Sequence, residues 1–236
     1  MNPLTPTPAR GFVVTLDGPA ASGKSTTARL AADRLGWLYL DTGAMYRAVA
    51  LKALRESIPL TDTGRIADAA RSCRIDLIPE KNGLRVLLDG GDVTADIRTP
   101  EVDRAVGPVC EIAGVREALV PRQRTFAERG DLITDGRDQG TVVFPDADLK
   151  FYFTASLEER AKRRKRDQEA RGISVPVERI AQEIEARDLR DSRRAHSPLR
   201  PAADAVTLDT TGLTLDGQVG LILDAVRRKQ EERGGA

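Results

Sequence analysis

Residues 12–26 read FVVTLDGPAASGKST. The first five are apolar or β-branched, a composition typical of a buried strand in a parallel sheet. Gly18 to Ser25 complete the pattern G-x-x-x-x-G-K-[ST], which is the pattern of a loop that binds phosphate groups. Thr26 to Leu35 then carry apolar residues at helical spacing, and Gly36 stands where a helix C-cap belongs. Strand, glycine loop and helix follow in the order that this motif requires, so we predict a phosphate-binding loop.

Each residue type in this loop has a chemical reason for its place. Gly18 and Gly23 allow the backbone to curl so that successive amides point at a polyphosphate, and the helix N-terminus adds partial positive charge. Lys24 can reach the outer phosphates, and the Ser25 hydroxyl can ligate Mg²⁺. A glycine turn before a core helix is the alternative. We assign binding of a polyphosphate to Gly18, Pro19, Ala20, Ala21, Ser22, Gly23, Lys24, Ser25 and Thr26.

The composition narrows the class of protein. The chain has 236 residues, 40% of them apolar, and a formal net charge of +1. The near-neutral charge gives no reason to expect a nucleic-acid or membrane partner, and no apolar run is long enough for a membrane span. Cys73 and Cys110 have no metal-ligand spacing, so we expect reduced thiols in a cytoplasmic protein. His196 is the sole histidine, which argues against a histidine metal site or a Ser-His-Asp triad.

Four further apolar runs alternate with helical segments and predict the remaining strands: Trp37–Leu40, Leu132–Thr134, Leu149–Thr154 and Ala205–Asp209. Together with the first strand they predict an α/β fold with three layers, in which a five-stranded parallel sheet is flanked by helices. Residues 74–78 and 84–88 flank a turn at Asn82-Gly83 and predict a small antiparallel insert.

Polar residues follow two of these strands. Thr42 and Arg47 follow the second strand, where Thr42 can cap a helix, bind a ligand or do both. Asp135 follows the third strand, at the position of a carboxylate that holds Mg²⁺ or its water, and Arg137 and Asp138 come next. Because ligands of open α/β sheets bind at the carboxyl ends of the strands, we expect these residues at one site.

Arginines concentrate between the fourth and fifth strands. Ser156 is a predicted cap for an arginine-rich helix that could close over phosphates as a lid. In the next helix, Arg187, Asp191 and Arg194 fall on one face, where they suit either a phosphate and a ribose or a salt-bridge ladder. A guanine-reading N-K-x-D motif and a convincing general base are both absent from the sequence. An acceptor that is itself a phosphate needs no base, because its oxygen is already anionic.

Six segments together resemble the bacterial cytidylate kinases: LDGPAASGKST, LDTGAMYR, IRTPEV, VREALVPRQR, DGRDQGTVVFPDA and RDLRDSRRAHSPL. The resemblance runs from Phe12 to Arg228. It implies a monomeric kinase with the P-loop kinase fold that transfers a phosphoryl group from ATP to CMP or dCMP with Mg²⁺. It also implies one domain over 11–236 after a disordered lead at 1–10, with a monophosphate-binding region at about 42–115 and a lid at about 156–175.

The resemblance also implies roles for individual residues. Thr42 and Asp191 would contact the ribose, with Arg187 nearby, and Arg116 and Asp138 would read the cytosine edge. The CMP phosphate would be held by Arg47, Arg137 and Arg194. The lid arginines Arg160 and Arg164 match the family less closely. Where relatives commonly carry a serine facing the base, this chain has Gly107, so we expect weaker pyrimidine selectivity.

Two alternatives stay open from the sequence. One is a phosphate-loop kinase for another small acceptor, such as UMP, AMP or shikimate. The other is a nucleotide-binding RNA module that uses the basic stripe at 160–171. The near-neutral charge and an aromatic content of only 4% argue against the RNA module.

Overall fold

The computed structural model describes residues 10–80, 83–170, 172–194 and 196–234. Its main sheet has five strands in the order β2-β6-β1-β7-β8, all parallel. The strands are β1 Val13–Asp17, β2 Leu38–Asp41, β6 Leu132–Gly136, β7 Leu149–Thr154 and β8 Val206–Asp209. This order places β1, and therefore the phosphate-binding loop after it, at the centre of the sheet.

Helices cover both faces of this sheet. They are α1 Lys24–Leu35, α2 Thr42–Arg55, α3 Thr63–Ser72, α4 Pro100–Glu111, α5 Ala113–Arg124, α6 Leu157–Glu169, α7 Val177–Arg193 and α8 Leu215–Gly234. Side chains of β1 alternate between two apolar cores: Val14 and Leu16 pack with α1 and α8, whereas Val13 packs in the cluster that contains α2 to α5. The alternation follows from the two-residue period of a strand. The predicted three-layer α/β fold is confirmed.

The insert is a separate antiparallel sheet of three strands: β3 Ile75–Glu80, β4 Gly83–Leu88 and β5 Gly91–Asp92. The predicted hairpin is confirmed, although the predicted turn residue Asn82 lies outside the described residues and Gly83 already belongs to β4. Gly91 and Asp92 form the third strand of this sheet. Their backbone pairs with Leu87 and Leu88, an interaction that carries no side-chain signal.

Several predicted boundaries were wrong by one or two residues. Helix α1 begins at Lys24 rather than Thr26, β2 is shifted by one residue to Leu38–Asp41, and β8 begins at Val206. Strand β6 extends to Gly136, because its ladder with β1 continues through the pair Asp17–Gly136. The predicted lead at 1–10 lies outside the described residues except for Arg10, whose guanidinium donates to the Asp146 carbonyl at 2.7 Å.

Helices α6 and α7 form a small apolar cluster of their own. Ala161, Ile180 and Ile184 are buried against each other, separately from both cores of the main sheet. Ser156 caps α6 as predicted, since its hydroxyl accepts a hydrogen bond from the Glu159 amide. Among the helices that are described, none combines the length and the apolar character needed to span a membrane.

Candidate active site

The loop between β1 and α1 has the strained backbone of a tight curl. Gly18 has φ 148°, and a Cβ there would stand 2.4 Å from the Phe153 carbonyl oxygen. Gly23 has φ 92° and is the N-cap of α1, and Ala21 also lies in the left-handed region at φ 60°. Within the described chain, no side chain caps the first turn of α1. An uncapped, positively polarised helix start behind a glycine loop is suited to an anion.

Lys24 is held in the interior of this loop. The residue is 5% exposed, and its Nζ donates to the Pro19 carbonyl at 3.2 Å. Burial, with a contribution from the nearby Arg137 guanidinium, lowers the pKa of Lys24 to about 7. A buried ammonium group that faces another cation is stabilised by a negative charge from outside the chain. The position therefore favours a phosphate group as ligand.

Asp135 connects the loop to the neighbouring strand and helix. Its Oδ2 accepts a hydrogen bond from the Ser25 hydroxyl at 2.5 Å, and its Oδ1 accepts one from the Tyr39 hydroxyl at 2.8 Å. The backbone carbonyl of Asp135 accepts the Thr42 hydroxyl at 2.7 Å. Burial, followed by the charge of Asp41, raises the pKa of Asp135. The carboxylate thus has two hydroxyl partners but lies in surroundings that disfavour its negative charge. A bound cation would stabilise that charge.

The oxygens of Ser25 and Asp135 fit a magnesium ion. Mg²⁺ prefers oxygen ligands and is usually held by one or two protein groups together with substrate phosphates. The described residues contain no group of three or more His, Cys, Asp or Glu that could hold a metal by themselves. A metal ion here would therefore depend on the phosphates of a bound nucleotide for most of its ligands.

A buried aspartate shapes the segment that follows β6. The Asp17 carboxylate accepts the amides of Gln139 and Gly140 at 2.9 and 2.8 Å, at the start of a single π-helical turn. Burial raises the pKa of Asp17 to about 7, against the lowering effect of these two amides. The two bonds fix the backbone directly after Asp138. They therefore orient the side chain of Asp138.

Arg116 and Asp138 form a buried ion pair between α5 and this segment. The Arg116 guanidinium also lies over the Tyr46 ring, 5.8 Å from its centre. The two residues that the resemblance assigns to base reading are thus neighbours. They present a carboxylate acceptor and a guanidinium donor side by side.

Asp191 is the centre of an arginine cluster. Its carboxylate accepts from Arg137 Nε at 2.8 Å and pairs with Arg194, while Arg187 Nε stands 4.0 Å away. Burial raises the pKa of Asp191, but the arginines, Arg137 first, outweigh it and hold that pKa below its usual value. Burial, and then Arg137, lowers the pKa of Arg187 to about 10. One carboxylate cannot neutralise three guanidinium groups, so the cluster carries excess positive charge.

This cluster is more than a ladder along one helix. Arg187, Asp191 and Arg194 belong to α7 and its C-cap, but Arg137 comes from the strand end beside the phosphate loop. The side chains that the sequence placed on one helix face therefore meet a residue of the sheet edge. The carboxyl ends of β1, β2 and β6 lie at that same edge, because the three strands are parallel.

Arg47 on α2 and two arginines of α6 are the remaining arginines that the sequence predicts for the site. Arg47 is buried and donates to the Ile97 carbonyl at 3.2 Å and to Asp103 at 2.5 Å. Arg160 pairs with Asp188, and its Nη1 also lies 3.4 Å from the Ala20 carbonyl of the phosphate loop. Arg164 donates to Asp103 at 2.8 Å. Arg160 thus reaches the phosphate loop, while Arg47 and Arg164 share the carboxylate of Asp103.

The comparison with known families agrees with this geometry. The model of the cytidylate kinase family matches residues 14–228. The chain belongs to the cytidylate kinase family. The match includes the phosphate loop, the insert, helices α6 and α7 and most of α8, so the family resemblance recognised in the sequence is confirmed.

Curated members of the family are similar over nearly their whole length. A cytidylate kinase of Desulforamulus reducens is 52% identical over 91% of this chain and 96% of its own. One of Caldanaerobacter subterraneus subsp. tengcongensis is 48% identical over 91% and 94%, respectively. One of Bacillus subtilis is 44% identical over 92% and 96%.

Two details differ from the sequence expectations. The cap of α2 is Asp41, whose carboxylate accepts the Ala44 amide at 2.9 Å, and not Thr42, whose hydroxyl is bound to Asp135 instead. At Gly107, a Cβ would stand 3.1 Å from Nη1 of Arg190, so a serine side chain would have to displace that guanidinium. The space beside Gly107 is therefore occupied from α7.

Sequence analysis does not single out four residues that the structure places at the site. Asp103 and Asp188 each pair with an arginine of α6, and Arg163 donates to the Ser22 carbonyl of the phosphate loop at 3.2 Å. Arg98 pairs with Asp41 at 2.8 Å. The carboxylates have partners far along the chain, so no local spacing marks them. The only signal for Arg163 is the general excess of arginine, whereas Arg98 lies within the segment IRTPEV that contributes to the resemblance.

Proposed function

We propose that this protein transfers the γ-phosphoryl group of ATP to CMP or dCMP and releases ADP and CDP or dCDP. One observation carries the proposal: the uncapped start of α1, with Lys24 buried behind it, lies at the same sheet edge as the Asp191 arginine cluster. The helix start and the arginine cluster each form a positively charged site that favours an anion. A kinase whose acceptor is a nucleoside monophosphate needs two such anion-binding sites, one for each nucleotide.

ATP would bind with its phosphates on the backbone amides from Gly18 to Thr26. Lys24 supplies a positive charge to the outer phosphates, where charge is redistributed in the transition state. Ser25 and Asp135 would hold Mg²⁺, which would supply positive charge to offset that of the ATP phosphates. The short bond between Ser25 and Asp135 supports this pairing, because it brings both oxygens to one point.

The monophosphate would bind across the opening with its phosphate among Arg47, Arg137 and Arg194. Thr42 and Asp191 would contact the ribose, with Arg187 close by. The guanidinium groups stabilise two phosphates that would otherwise repel each other, and they hold the acceptor oxygen in line with the γ-phosphorus. The acceptor oxygen forms the new bond to phosphorus while the bond to ADP breaks. No general base is required, since that oxygen is already deprotonated.

Arg116 and Asp138 would distinguish cytosine from uracil. The carboxylate accepts from the cytosine amino group, and the guanidinium donates to the ring carbonyl and nitrogen. Uracil presents a carbonyl where cytosine has the amino group, so Asp138 would face a second acceptor. The buried pair of Arg116 and Asp138 supports this reading, because a nucleobase edge can bind both groups at once.

Residues 156–175 would act as a lid that carries Arg160 and Arg164 to the transferring phosphoryl group. The separate apolar cluster of α6 and α7 supports a unit that can move without disturbing the sheet cores. We further propose that the enzyme is a cytoplasmic monomer, with a monophosphate-binding region at about 42–115. All of its substrates are small nucleotides, and no nucleic acid or membrane is required.

A panel of monophosphates tests the choice of acceptor. CMP, dCMP, UMP, AMP and shikimate are each supplied with ATP and magnesium, and release of ADP is followed with a coupled assay. We expect the highest kcat/KM with CMP or dCMP. Preference for any other acceptor would refute the assignment, and RNA affinity that falls steeply with salt in filter binding would favour the RNA module instead.

A further inference from the structure

Asp103 connects helix α2 with helix α6. In the proposed reaction, α2 carries a group that binds the monophosphate, whereas α6 belongs to the lid. Asp103 lies in the first turns of α4, which Thr99 caps. Its Oδ1 accepts from Nη2 of Arg47, on α2, at 2.5 Å, and its Oδ2 accepts from Nη2 of Arg164, on α6, at 2.8 Å. One carboxylate therefore connects the monophosphate-binding side with the arginine-rich helix.

The three side chains are well shielded from water. Exposed fractions are 10% for Arg47, 25% for Asp103 and 28% for Arg164. Two guanidinium groups that bind the two oxygens of one carboxylate lie close enough to repel each other if the carboxylate loses its charge. Such a three-membered network is stronger than an isolated surface pair, whose contribution is typically about 0–1 kcal/mol.

Asp103 leaves Arg47 able to bind a ligand. A guanidinium group has five N–H donors, and Arg47 uses one on the Ile97 carbonyl and one on Asp103. The remaining donors are available for a phosphate. Asp103 therefore fixes the plane of the Arg47 guanidinium while it contributes a negative charge next to the proposed phosphate position.

Two other arginines of α6 contact the phosphate loop. Arg160 pairs with Asp188 and reaches the Ala20 carbonyl, and Arg163 reaches the Ser22 carbonyl. Both of these carbonyls belong to the phosphate loop. Arg164 instead reaches α4. Helix α6 is thus bound to the nucleotide side through two arginines and to the monophosphate side through Arg164 and Asp103.

We propose that Asp103 is a positioning residue that holds Arg164, and with it α6, against the monophosphate-binding side through the shared contact with Arg47. The proposal rests on the function proposed above for Arg47 and α6. It predicts that loss of the carboxylate has two effects, one that favours the binding of CMP and one that slows turnover. Loss of the carboxylate charge removes a repulsion of the CMP phosphate, so the KM for CMP falls, whereas Arg164 is no longer held in place, so kcat falls.

The first test compares Asp103→Asn with Glu101→Gln. Glu101 lies two residues earlier in the same helix and is exposed, and the contact described for it is a loose one of 3.9 Å with Arg104. Its variant therefore controls for the loss of a negative charge. We expect Asp103→Asn to lower kcat about tenfold and the KM for CMP severalfold, and the control to match the wild type. An unchanged or raised KM for CMP would overturn the proposal, since simple damage to the fold cannot tighten binding of CMP.

The second test is a double-mutant cycle with Arg164→Gln. If Asp103 acts through Arg164, the double variant has about the same kcat as Arg164→Gln alone. If the reductions in kcat of the two single variants multiply in the double variant, Asp103 acts independently of Arg164. That result would also overturn the proposal.

A third readout needs no catalysis. Hydrogen exchange of the α6 amides is followed in the ligand-free protein, where we expect Asp103→Asn to exchange faster than both the wild type and Glu101→Gln. Equal exchange would refute the contact. The two proposals can fail separately: a wild type that does not phosphorylate CMP refutes the function even if exchange in α6 responds to Asp103, and additive kinetics in an active CMP kinase refute only the role of Asp103.

Discussion

At the scale of single residues, two buried carboxylates of this site are paired with arginines of the same chain. Asp191 binds Arg137 and Arg194, and Asp138 binds Arg116. Removal of one member of such a pair leaves the other buried without a partner, which typically costs about 3–5 kcal/mol. Informative substitutions therefore keep the shape and hydrogen-bonding capacity of the side chain while they change its charge.

Lys24→Met tests the phosphate loop. The thioether chain fills a similar volume, and it removes an ammonium group whose pKa burial and Arg137 lower to about 7. We expect turnover to fall at least about 10²-fold, because a charge that stabilises the transition state is lost. Thermal stability should be equal or higher, because the buried charge is gone.

The matched control for this substitution is Lys229→Met, at a lysine on α8 whose ion-pair partner among the described residues is Glu232. This variant should retain wild-type turnover. Near-normal activity of Lys24→Met would remove the loop from the proposed mechanism.

Asp138→Asn tests how the base is read. The amide oxygen can still accept from Arg116, so the fold is retained, but the new amide nitrogen can donate to a uracil carbonyl. We expect kcat/KM for CMP to fall about 10–100-fold and the ratio of CMP to UMP use to narrow. The measurement is kcat/KM for both nucleotides, with the exposed Asp146→Asn as the control. An unchanged ratio would show that Asp138 does not contact the base.

At the scale of elements, the sequence predicted most reliably where a local pattern and the tertiary packing agree. Strand β1 shows apolar residues on both faces, and it lies in the centre of the sheet, where both faces are buried. The alternative roles left open for Thr42 could not be resolved locally, because Asp41 precedes it and is an equally good cap. Strand β5 was missed because two residues, Gly91 and Asp92, pair only through their backbone.

Two glycine substitutions should change stability in opposite directions. A Cβ at Gly11, just before β1, would stand 2.1 Å from the Gly130 carbonyl oxygen, so Gly11→Ala forces two backbone segments apart. We expect a loss of about 1–3 kcal/mol. Gly220, inside α8, has no atom within 4 Å of its Cβ position, so Gly220→Ala should gain about 0.5–1 kcal/mol.

Urea unfolding of the two glycine variants and the wild type provides the measurement. A stable Gly11→Ala variant would show that the approach between residues 11 and 130 is not as tight as described. Loss of stability in Gly220→Ala would show that the helix has no room for the methyl group.

At the scale of the whole molecule, the sheet brings together residues that are far apart in the sequence. Arg137, which follows β6, and Arg194, which follows α7, meet at Asp191, and Arg116 of α5 meets Asp138. Sequence motifs identified these residues individually, and the family resemblance suggested their roles. The pairs Arg164–Asp103 and Arg160–Asp188 could not be predicted, since their geometry depends on how α6 and α7 pack over the site.

The central claim is that phosphate passes directly from one nucleotide to the other at this edge. Phosphorus NMR of the purified protein with magnesium, ATP and CMP follows every phosphate in one sample. The account predicts ADP and CDP in equal amounts, and neither product with Lys24→Met over the same time. Intact ATP, or ADP with unchanged CMP, would contradict it.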